Sequence, residues 1–67
     1  MMSSKIAIAL ERKYEGEIAE AEANIGVYMS NPVGIGEHSD IIGAIDTQMD
    51  KLASAEEKLK ILREYWL

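Results

Sequence analysis

Cysteine and phenylalanine are absent from this 67-residue sequence, and proline, histidine and tryptophan occur once each. Without cysteine the chain has no disulfide and no thiolate metal ligand, and a single histidine leaves little for a structural zinc site. At this length one hydrophobic core barely outweighs the conformational entropy that is lost on folding. Among the usual ways of stabilising so small a chain, the composition therefore favours oligomerisation.

Basic residues and long apolar runs are also scarce. Seven Lys and Arg against twelve Asp and Glu give a net charge of -5, which argues against binding to a phosphate backbone. The apolar run 6–10 is too short for a signal peptide or a membrane span, and charged residues follow it at once. We therefore expect a cytoplasmic protein with neither a membrane nor a nucleic-acid partner.

Turn-forming residues are confined to one stretch, Asn31-Pro32-Val33-Gly34-Ile35-Gly36. Pro32 disfavours helical geometry at the preceding residue, and the glycines allow a positive φ. The sequence thus predicts a single all-α domain over residues 1–67, with a helix at about 4–30, a loop at about 31–38 and a helix at about 39–65. Ser39 is the predicted N-cap of the second helix. Because the loop is short, the two helices should form an antiparallel hairpin.

Each predicted helix carries an apolar stripe with steps of three and four residues, which is a helical period. The stripe of the first helix reads Ile6, Leu10, Tyr14, Ile18, Ala21, Ile25, Tyr28. That of the second reads Ile41, Ile45, Leu52, Ala55, Leu59, Leu62, Trp66, with Ile42 and Met49 on its flank and Gln48 interrupting it. Two helices alone cannot cover so much apolar surface, so the hairpin should assemble into a four-helix bundle as a homodimer or a higher oligomer.

Small residues line the opposite side of the first helix: Ala9, Gly16, Ala19, Ala23, Gly26, Ser30. One interpretation is a second packing face, because small side chains let another helix approach closely. The other is a solvated face of good helix formers, although two glycines there would each cost about 1 kcal/mol relative to alanine. The predicted interface residues are Ile18, Ala19, Ala23, Ile25, Gly26, Ile45, Met49, Leu52, Leu59, Leu62 and Trp66.

Glu37, His38 and Asp40 are the only cluster with metal-ligand chemistry, and they are weak candidates. Adjacent residues point in different directions, so we expect His38 to help close the loop and predict no metal site. The pair Gly34 and Gly36 lacks the strand and the lysine of a phosphate-binding loop. With no candidate nucleophile beside a base, we expect neither an enzyme nor a cofactor.

The segment Asn31-Pro32-Val33-Gly34-Ile35-Gly36-Glu37-His38-Ser39-Asp40, flanked by two long helices, resembles short uncharacterised proteins of tailed marine bacteriophages. The resemblance implies a viral product that acts in the cytoplasm of a bacterial host. It implies no activity for any residue.

Two functions remain open. The first is a small homo-oligomeric helical protein that serves as a protein-interaction or assembly accessory factor, with itself as the main partner. The alternative is an acidic regulator that docks on a host or viral enzyme. A metal-binding bundle that uses Glu37, His38 and Asp40 of several chains ranks below both.

Overall fold

The computed structural model describes residues 4–30 and 40–67, which form two α-helices. Helix α1 is Lys5–Ser30 and helix α2 is Ile41–Tyr65. Both lie within one residue or two of the predicted bounds, and the described part of the chain contains no strand. The predicted loop at 31–38 lies outside the described residues.

Side chains cap both helix starts. The Oγ atom of Ser4 accepts a hydrogen bond from the Ala7 amide at 3.0 Å, and Asp40 Oδ1 accepts one from the Gly43 amide at 2.8 Å. Each bond satisfies an amide that has no partner within its helix. The N-cap of α2 is therefore Asp40, one residue later than predicted; Ser39 itself lies outside the described residues.

The helices pack side by side and antiparallel, as the sequence predicts. Arg63, near the end of α2, contacts Glu11 near the start of α1, whereas Asn24 near the end of α1 contacts Gln48 in the first half of α2. The hairpin thus has a terminal end, towards residues 5 and 65, and a connection end, towards residues 30 and 41.

A seven-residue repeat marks the seam between the helices. On α1 the central positions are Ala7, Tyr14, Ala21, Tyr28, and on α2 they are Ile41, Gln48, Ala55, Leu62; each is buried or half-buried. Ala21 and Ala55 are only 1 % and 2 % exposed, and such small side chains let the backbones approach closely. A repeat of seven is the period of a left-handed coiled coil, so the pair is a two-stranded antiparallel coil.

The seam differs from the predicted stripe at its first residue. Ile6 was expected inside but is 75 % exposed, and Ala7 is buried instead. The reason is geometric: counting back in steps of seven from Tyr28, through Ala21 and Tyr14, reaches Ala7 and not Ile6. The predicted stripe mixed steps of three and four and drifted by one residue at its end.

Candidate interaction surface

One side of the hairpin carries a row of uncovered aliphatic side chains. We call this side the apolar face; its residues follow the seam positions by one or four places, which puts them on the same side of both helices. They are Ile18, Ile25, Met29, Ile42, Ile45, Met49 and Leu52. Met29 is 60 % exposed, Ile42 75 % and Met49 43 %, while the other four side chains are half-buried. The hairpin alone leaves this row of large side chains in contact with water.

The other side of the hairpin is charged, and we call it the polar face. A groove of about 410 Å³ runs along it, lined by Glu17, Glu20, Ala21, Asp50, Lys51, Ser54, Ala55 and Lys58. Lys13 Nζ donates to Glu17 Oε2 at 2.7 Å beside this groove. This hydrogen bond lowers the pKa of the Glu17 carboxyl below its usual 4.5, and it raises the pKa of Lys13 above its usual 10.5. The two faces thus differ strongly in chemistry.

A cluster of ionic groups replaces aliphatic ones at the terminal end of the apolar face. Arg63 donates from Nε to Glu11 Oε2 and from Nη2 to Glu15 Oε2, both at 3.1 Å. Its guanidinium therefore links α2 to two successive turns of α1, and the fork geometry of arginine suits such a double contact. Lys60 and Glu64 line the shallow groove beside it.

An aromatic cluster occupies the terminal end of the polar face. Leu10, Tyr14, Ile61, Leu62 and Trp66, with Lys58, line a groove of about 390 Å³. The Tyr65 and Trp66 rings meet edge to face, with centroids 5.7 Å apart. The sequence analysis placed Trp66 in the apolar stripe of the second helix and among the interface residues, and within the single chain it is 64 % exposed. The cause is its position: α2 ends at Tyr65, and Trp66 is the C-cap, beyond the last turn that packs on α1.

A polar pair interrupts the seam. Asn24 Nδ2 donates to Gln48 Oε1 at 3.2 Å across the two helices. The sequence analysis identified Gln48 as an interruption but missed its partner. The signal was present, because Asn24 follows the central position Ala21 by three residues and so lies beside the seam.

The predicted interface residues fall into three groups. Leu59 and Leu62 are buried within the hairpin itself, where they pack towards α1. Ala19, Ala23 and Gly26 are exposed on the far side of α1, away from α2. The other residues of that prediction except Trp66 belong to the apolar face: Ile18, Ile25, Ile45, Met49 and Leu52. This last group is the part that a second chain could cover.

Of the weak metal candidates, Glu37 and His38 lie outside the described residues. The carboxylate of Asp40 is engaged as the cap of α2. Within residues 4–30 and 40–67, no three side chains are grouped in a way that could hold a metal ion. In the same ranges, neither helix combines the length and the apolar character needed to cross a membrane.

No protein-family model, curated protein or solved structure matches the chain. The resemblance to proteins of tailed marine bacteriophages stays a prediction.

Proposed function

We propose that this protein is a self-associating helical protein that acts by protein interaction, as an accessory or assembly factor, with a four-helix bundle of two hairpins as its basic unit. The observation that carries the proposal is the apolar face, where Met29, Ile42 and Met49 are all at least 43 % exposed. They share one side of the hairpin with four half-buried aliphatic side chains, so they form a group rather than scattered surface residues.

The total surface of the chain supports association. A compact protein of 7.4 kDa exposes about 4,200 Å², whereas this chain exposes 5153 Å². The excess of roughly 900 Å² per chain is close to the ~800 Å² that each partner buries in a standard protein interface. The cause is the architecture: a hairpin measuring 52 × 15 × 14 Å is a single layer of helices, and stable domains need two.

A second copy of the chain is the occupant that the composition favours. A second copy carries the same aliphatic surface and is present wherever the protein is. A two-fold axis makes that surface complementary to itself. Burial of a large aliphatic side chain contributes about 1.5–3 kcal/mol, so the three exposed members of the apolar face offer a substantial driving force in each copy.

The direct test is the molar mass in solution of the wild type and two matched variants. Met49→Glu places a carboxylate on the apolar face, and Ser54→Glu, five residues later, places one in the groove of the polar face. Light scattering coupled to size exclusion should give at least two chains for the wild type and for Ser54→Glu. Met49→Glu should shift the mass towards one chain, because a buried unpaired carboxylate is costly.

Circular dichroism of the same samples separates loss of association from loss of folding. We expect the melting temperature of the wild type to rise with protein concentration and that of Met49→Glu to be less dependent on it. A folded wild type with the mass of one chain at about 100 µM, far above the Kd of an ordinary specific dimer, would refute the proposal.

A further inference from the structure

The apolar face changes character along the hairpin. Its aliphatic residues lie in the connection half and the middle, where Met29 and Ile42 are the outermost members. The terminal half of the same side carries Glu11, Glu15 and Arg63, with the exposed aliphatic side chain of Ile8 near its outer limit. This polarity along the long axis restricts how two copies can stack.

We propose that the second copy stacks on the apolar face with both connections at the same end, so that the two-fold axis runs parallel to the helices and α1 of each copy packs on α2 of the other. The inference rests on the proposed self-association, and it adds the orientation of the partner. The alternative is a two-fold axis perpendicular to the helices, which puts the connections at opposite ends and packs α1 on α1.

Aliphatic matching favours the parallel axis. With the connections at the same end, Met29 of one copy lies at the level of Ile42 and Ile45 of the other, so aliphatic surface covers aliphatic surface. With full overlap and opposite ends, the connection half of the apolar face would lie over the terminal half, which holds the ionic cluster around Arg63. That arrangement would remove water from charged groups without giving them new partners, which is costly.

Charge complementarity points the same way. On this side of the terminal half, α1 carries the acids Glu11 and Glu15, while α2 carries the bases Lys60 and Arg63 together with the acids Glu56 and Glu64. Packing α1 on α2 of the second copy therefore sets the acids of α1 opposite a surface that includes two bases. Packing α1 on α1 would set Glu15 close to Glu22 of the second copy, and like charges across an interface are unfavourable.

A staggered dimer with opposite ends could match only the connection halves. It would overlap about half of each hairpin and leave the terminal halves as single layers in water. The excess surface of roughly 900 Å² per chain is about the area of a full standard interface, and overlap of half of each hairpin would cover less of it. The fully overlapped arrangement with a parallel axis covers the most.

Spin-label distances can decide the orientation, since the chain has no cysteine of its own. Lys5→Cys and Ala19→Cys place labels at the terminal end and at the middle of α1, in one exposed row that points away from α2. With a parallel axis, the distance between the two labels of a dimer is nearly the same for both variants. With a perpendicular axis and full overlap, the axial separation at Lys5 exceeds that at Ala19 by about 30 Å.

We therefore expect Lys5 and Ala19 label distances that agree within about 10 Å, a margin set by helix spacing and label length. If the sample has the mass of a dimer and the Lys5 label distance exceeds the Ala19 label distance by about 15 Å or more, the proposed orientation is wrong. The proposed function would then still stand. A dimer that dissociates when Ala19 is labelled would also overturn it, because that residue lies on the far side of α1. Absence of any dipolar coupling in a one-chain species would remove both proposals.

Discussion

Asn24 and Gln48 form the one side-chain hydrogen bond between neutral groups that crosses the seam within residues 4–30 and 40–67. Gln48 is buried and Asn24 half-buried, so each amide depends on the other for part of its hydrogen bonding. In coiled coils a polar pair of this kind fixes register at some expense of stability. The pair therefore defines which turn of α1 lies against which turn of α2.

Removal of one partner should destabilise the fold. Asn24→Ala leaves the buried amide of Gln48 without its partner, and we expect the free energy of unfolding to fall by about 1–2 kcal/mol. Asp46→Ala, an exposed change two residues from Gln48, is the control and should stay within about 0.5 kcal/mol. Chemical denaturation followed by circular dichroism measures both. The double variant Asn24→Leu with Gln48→Leu should be at least as stable as the wild type, and a large loss there would contradict this account.

The small-residue side of α1 should tolerate added atoms. A Cβ built on Gly16 or Gly26 meets no atom within 4 Å. Gly16→Ala should therefore raise the free energy of unfolding by about 1 kcal/mol through helix propensity alone. Because Gly26 lies on the far side of α1 and not on the apolar face, Gly26→Leu should leave the mass of the oligomer unchanged in light scattering. A Gly26→Leu protein that dissociates would show that this side, and not the apolar face, is the contact between chains.

The bridge from Arg63 to Glu11 and Glu15 should contribute little and depend on salt. Arg63 is half exposed, so water competes with both contacts, and we expect Arg63→Ala to cost less than about 1 kcal/mol in the protomer. Arg12→Ala, on the exposed side of α1, is the reference. The difference between the two variants should shrink in about 1 M salt, where the screening length falls to about 3 Å. An effect that persists at high salt would indicate packing of the arginine stem instead.

The contact between Lys13 and Glu17 sets the direction of a pH dependence. The pKa of Glu17 is lowered in the folded chain. The contribution of the ionised Glu17 carboxylate to the stability of the fold is therefore present above the usual value of 4.5 and is lost as pH falls through the lowered pKa. The pKa of Lys13 is raised, so its contribution is present below 10.5 and is lost as pH rises through the raised pKa. Carboxyl NMR titration should show the pKa of Glu17 rising in Lys13→Gln. Lys5→Gln, at the start of α1, should leave it unchanged; equal behaviour of the two variants would contradict the assignment.

Much of the architecture follows from local chemistry. Pro32 and the glycines that follow it fall between two helical patterns, and the chain has no second group of turn residues. Helix starts need a short polar side chain that can accept from a free amide, which is why the sequence analysis chose Ser39 as the cap of the second helix. In the structure the cap is Asp40, whose side chain accepts from the Gly43 amide. Both residue types favour this position, so the sequence locates the helix start to within one residue.

The candidate surface was predictable in part. The number of aliphatic residues in the sequence exceeds what two helices can cover between them, and this predicted an uncovered apolar surface. Five of the predicted interface residues lie on the apolar face. The other predicted interface residues lie elsewhere: Leu59 and Leu62 are buried within their own hairpin, and Ala23 is exposed on the small-residue side of α1, where the sequence analysis placed it. A sequence reports how many apolar residues a helix has, but a rotation of about 100° per residue spreads them around its axis.

The sequence by itself determined two helices, the break between them and their antiparallel order, because caps, turn residues and apolar period act through neighbours in the chain. Only the tertiary structure decided that Ala7 and not Ile6 enters the seam, that Asn24 meets Gln48, and that seven of the remaining aliphatic side chains share one side of the hairpin. The physical reason is that a helix of 3.6 residues per turn fits several apolar stripes nearly equally well. The close approach of the two backbones at Ala21 and Ala55 selects one of them.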